Sequence, residues 1–118
     1  MMRLRTLGAI LAIAMPFAVS AGETPAPAGA AVYFIGLEDG ATVESPFHVR
    51  FGLTGMGIAP AGVEKANTGH HHLLIDVDPP TGEDLEYSIP ADENHRHFGG
   101  GQTEVMVDLP QGAHTLQL

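Results

Sequence analysis

Apolar residues recur along this chain with a period of two, in short runs separated by glycine, proline and acidic residues. The clearest run is FHVRFGL (47–53), with Phe47, Val49, Phe51 and Leu53 on one parity and His48 and Arg50 on the other. Successive strand side chains point to opposite faces, so this pattern predicts a strand with one buried face. AVYFIG (31–36), LLIDV (73–77), LEYSI (85–89), TEVMVDL (103–109) and AHTLQL (113–118) continue the series. Val49, Phe51, Leu73, Ile75, Val105 and Val107 fall on the inward parity, whereas Met106 falls outward with Glu104 and Asp108. Asp39-Gly40 marks a turn after the first run, and Pro110-Gln111-Gly112 a tight connection before the last. Helix is expected to be no more than one turn near 63–66. Short strands at these spacings predict an all-β chain, an immunoglobulin-like antiparallel β-sandwich. Such a fold ordinarily has seven strands. The last run stops at Leu118 in mid-strand, so the sandwich is expected to lack its final strand.

The first residues break the pattern. MMRLRTLGAILAIAMPFAVSAGE has a basic start (Arg3, Arg5), an apolar stretch from Leu7 to Val19, then small residues. That order predicts a signal peptide over 1–21, and hence a periplasmic or secreted protein. The apolar stretch is shorter than the roughly 18 residues of a membrane span, and Pro16 interrupts it, so the mature protein is not expected to be membrane-embedded. TPAPAGAA makes 22–30 a Pro/Ala-rich linker, and 31–118 is left as the β-sandwich domain.

Composition narrows the chemistry. The chain has no cysteine, which excludes disulfides, zinc–thiolate sites and blue-copper ligation. Of five basic residues two lie in the leader, so three face fourteen acidic ones in the mature part. That balance disfavours nucleic acid as a partner and suits cations. GMGIAP departs from a dinucleotide fingerprint at Pro60, GGGQT lacks the lysine of a phosphate loop, and Ser45 and Ser88 sit in no nucleophile elbow. Met56 and Met106 are read as ordinary hydrophobic residues rather than thioether ligands.

Five of the seven histidines fall in two clusters, His70-His71-His72 and His95-Arg96-His97. On an extended segment His70 and His72 share one face, while His71 turns to the other with Leu73 and Ile75. The second cluster repeats the two-residue spacing. Brought together, His70, His72, His95 and His97 would offer four neutral nitrogen donors, suited to copper or zinc. Asp76, Asp92 and Glu93 are candidates for fixing imidazole tautomers or for adding oxygen ligands. The glycines of 99–101 fit a close backbone approach beside HRHF. His48 and His114, on strands, are read as structural or exposed. Two other readings stay open: a cell-envelope interaction module with structural histidines, and a metal-dependent enzyme using Glu93 as general base.

GMGIAPAGVEKANTGHHHLLID, IPADENHRHFGGGQTEV and LPQGAHTLQL together resemble the bacterial domain-of-unknown-function family 4399, from about Val32 to the end. The resemblance implies a secreted or periplasmic all-β domain. It also implies a further histidine-containing segment and a last strand beyond Leu118. It brings no established activity.

Overall fold

The computed structural model describes residues 24–118, and the predicted leader over 1–21 lies outside them. The linker residues within that range are irregular, with a turn closed by Ala30 N–H donating to the Pro27 carbonyl at 3.0 Å. Eight strands follow: β1 (Ala31–Phe34), β2 (Phe47–Thr54), β3 (Gly57–Ile58), β4 (Thr68–Gly69), β5 (His72–Ile75), β6 (His95–His97), β7 (Glu104–Val107) and β8 (Leu116–Gln117). No α-helix occurs among the described residues, and none is long and apolar enough to cross a membrane.

Two antiparallel sheets carry the fold, β1-β2-β7 and β6-β5-β8, with a short parallel pairing of β3 and β4 between them in sequence. β2 pairs with β1 and with β7, which comes late in the chain, while the central strand β5 pairs with its successor β6 and with β8. This is the immunoglobulin-type arrangement of strands A, B and E on one sheet and C′, C and F on the other. The expected all-β sandwich is the observed one.

The core lies between the sheets and comes from the predicted parity. Val49, Phe51 and Val107 face Leu73, Ile75 and Phe98, all buried, with Val105 partly buried against them. Met106 points to solvent, as its parity demands. Burying an aliphatic or aromatic side chain of this size contributes about 1.5–3 kcal/mol.

One expectation fails locally. LEYSI (85–89) forms no strand; a 3-10 turn spans Gly82–Glu86, and Leu85 and Tyr87 are exposed. Both edges of β5, the strand it follows, are already taken by β6 and β8. Pro80 and Ile89, on either side of that turn, line one cleft with Leu74. The stretch 63–66, where helix was expected to be no more than one turn, is irregular, with a turn closed by Val63 N–H donating to the Pro60 carbonyl.

Candidate metal centre

The site begins where the chain enters β5. His71 turns inward, 4 % exposed, its ring 5.0 Å from that of Phe51. His70 and His72 therefore turn outward together. In an antiparallel pair, directly opposed residues share a face. The β5–β6 register sets His72 opposite His97 and Leu74 opposite His95, which places His97 on the face of His70 and His72. Phe98, next in the chain, returns to the core against Phe51, and its N–H donates to the His71 carbonyl at 3.0 Å. Two buried rings flanking the pair thus fix where the outward imidazoles stand.

The geometry is convergent. His70 Nε2 lies 3.2 Å from His72 Nε2 and 3.0 Å from His97 Nε2. The three rings are mutually 4.8–5.0 Å apart between centroids. One ring nitrogen from each lies within 4.8 Å of the others. A single imidazole nitrogen carries either one proton or one lone pair, so His70 Nε2 can satisfy one of its two neighbours and not both. A cation between the three resolves that conflict. The edge of a tetrahedron with bonds of 2.0–2.1 Å is about 3.3 Å, close to the two spacings from His70.

Burial favours the neutral form of His70 and His72. Burial, then the neighbouring His70 and His97, pushes the His72 pKa down to about 4. His70 is lowered by burial and then by His97, and His71 by burial and then by His70. A neutral ring has a lone pair free for a metal. His72 Nδ1 is buried without a hydrogen-bond partner among the described residues, so none of them anchors that ring from behind.

The backbone of the second loop makes room. A Cβ on Gly99 would meet the His97 ring at 2.5 Å, so glycine here lets the imidazole lie across the chain. Gly101 has φ +87°, a conformation that L side chains rarely adopt. The close approach expected of these glycines is present.

Of the four histidines expected to converge, the structure brings three together. His95 shares their sheet face, but its Nδ1 pairs with Asp92 Oδ1 at 2.9 Å, a step further along β6. Asp92 also accepts from the N–H groups of Asn94 and His95, at 2.9 and 2.8 Å, so it shapes the turn into β6. Its pairing with His95, first, keeps its carboxyl below the usual range.

Asp76 departs furthest from expectation. Its φ of +56° breaks the strand alternation just after β5, and its carboxylate turns to His114 Nδ1 (2.7 Å) and the Thr115 N–H (2.9 Å). It supports no imidazole of the group. Glu93 is exposed in the turn before β6. His114 is structural, its other nitrogen 2.6 Å from the Pro110 carbonyl. The larger groove of about 1170 Å³, lined by residues from 34–47 and 109–116, contains none of the three convergent histidines.

Fold and site together define an immunoglobulin-like β-sandwich with three histidines gathered at one end of its central strand. Residues 49–118 match the family described as Domain of unknown function (DUF4399), and the chain belongs to that family. No curated protein and no solved structure matches it.

Proposed function

We propose that this protein binds one divalent transition-metal ion, copper or zinc, through His70, His72 and His97, and does so outside the cytoplasm after removal of its leader. The observation that carries the reading is the convergence of three imidazole Nε2 atoms at 3.0–3.2 Å about His70, which no set of hydrogen bonds among them satisfies. The all-nitrogen donor set suits copper and zinc, and the absence of cysteine removes the thiolate alternatives. A role for Glu93 as general base has no support, since that residue is exposed in the turn before β6. Binding therefore stands ahead of catalysis.

The test is calorimetric titration of untagged protein with Zn(II) and Cu(II). His70→Ala, His72→Ala and His97→Ala should each weaken binding at least tenfold, whereas His95→Ala should change it by no more than about threefold. Micromolar or tighter affinity with one ion per chain supports the reading. Wild-type behaviour of all three variants would refute it.

A further inference from the structure

Among the described residues no fourth histidine, aspartate, glutamate or cysteine joins the three-histidine group. The nearest candidates are engaged elsewhere, His95 by Asp92 and Asp76 by His114. Three protein ligands leave a tetrahedral ion one position for a ligand from outside. Three neutral imidazoles also leave its double charge uncompensated, in a place where His70 and His72 are only partly exposed. An anionic donor is favoured there, because attraction between opposite charges strengthens as water is excluded.

Next to this position lies a cleft of about 210 Å³ whose wall includes His70 and His72. Leu74, Pro80 and Ile89 supply apolar surface, and Gln117 a polar group. Of the segment that fails to form a strand, Ile89 lines the cleft, as do Val32 and Leu118. Leu74 sits on the outward parity yet is 5 % exposed. The space is enough for an organic ion of a few carbons.

Resting on the metal-binding reading, we infer that the fourth position accepts a small monoanion, a short-chain carboxylate, whose apolar body lies in this cleft. The donor oxygen completes the metal; the hydrocarbon part displaces water from Leu74, Pro80 and Ile89.

The experiment loads untagged protein with Co(II), whose visible absorption reports coordination, and measures Co(II) affinity first. Acetate and isovalerate are then titrated in. Isovalerate is expected to shift the spectrum at about tenfold lower concentration than acetate, since three further carbons enter apolar surroundings. Ile89→Gln, at a partly exposed position, should bring that ratio close to one while leaving Co(II) affinity within twofold. Equal potency of the two carboxylates, a preference that survives Ile89→Gln, or an unchanged spectrum in protein shown to hold Co(II) would each overturn the inference and leave metal binding standing. Failure to bind Co(II), Zn(II) or Cu(II) at all would overturn both.

Discussion

His71 and His72 are adjacent and chemically identical, yet they occupy opposite worlds. His71 is 4 % exposed, tilted against the Phe51 ring, and its Nε2 is buried without a hydrogen-bond partner among the described residues. Replacing an unsatisfied buried polar atom by an apolar one of similar shape is nearly neutral or stabilising. His71→Phe is therefore expected to keep unfolding stability within about 1 kcal/mol of wild type, or raise it, and to leave metal affinity unchanged. His72→Phe keeps a ring but loses the donor, so it should abolish binding. Urea unfolding and calorimetry on the two variants check both halves. Gly99 acts through space rather than donor chemistry. Gly99→Ala places a methyl where the His97 ring now lies, so metal affinity should fall about tenfold while far-ultraviolet circular dichroism stays that of wild type. Restoration of affinity would not be expected from any change at His95, which is held by Asp92.

At the scale of elements, the connection from β5 to β8 is tied by charge. Asp76 accepts from His114 Nδ1–H and from the Thr115 N–H, and His114 Nε2–H donates to the Pro110 carbonyl. Both ring nitrogens face acceptors, so the bonded form is the imidazolium. Asp76 is lowered from 3.8, first by His114, and His114 is raised from 6.5, first by Asp76. A lowered carboxylate contributes stability above its ordinary pKa and loses it as pH falls through the folded value; a raised histidine contributes below 6.5 and loses it as pH rises through the folded value. The clasp is thus fully present between about pH 4 and pH 6.5 and is lost as pH rises through the raised His114 pKa. His70 and His72 have the opposite sense: lowered in the fold, they cost stability as pH falls from 6.5 towards 4. In wild type the two trends oppose each other below neutrality. Asp76→Asn suits the left-handed backbone, which asparagine tolerates, and removes only the charge. Its melting temperature, measured without metal, should fall more steeply between pH 7 and pH 5 than that of wild type. Parallel curves for the two proteins would show that the clasp adds nothing.

The whole molecule is a two-layer fold with a small core, and its stability is concentrated in few side chains. Val49, Leu73, Ile75 and Val107 are the large side chains most completely buried. Phe51 joins the two sheets, touching both His71 and Phe98. Phe51→Asp forces a carboxylate into that layer and is expected to leave the chain unfolded at 25 °C, because the cost rivals the roughly 5 kcal/mol that holds a domain of this size together. Arg50→Asp, one residue away and exposed, sets a carboxylate opposite Glu104 and should cost about 1 kcal/mol or less. Circular dichroism with urea titration separates the two outcomes. Since the core rings of Phe51, His71 and Phe98 also hold the entry to β5 and the end of β6, loss of the layer should take the metal site with it.

Period-two alternation determined the class of fold, because a half-buried strand leaves its signature in every second residue; β2, β5 and β7 and their inward side chains were legible for that reason. So was the split of His71 from its neighbours. β6 was not, since HRH carries no apolar alternation and its strand character comes entirely from pairing with β5. LEYSI carried the alternation and formed no strand, because alternation does not supply a partner edge, and a 3-10 turn over Gly82–Glu86 runs into the segment instead. The two-residue spacing of the histidines announced candidate ligands, but spacing is a property of one segment and convergence is a property of two. Only the β5–β6 register decided that His97 faces His72 while His95 stays with Asp92. Only the positive φ at Asp76 turned its carboxylate from the histidine face towards His114.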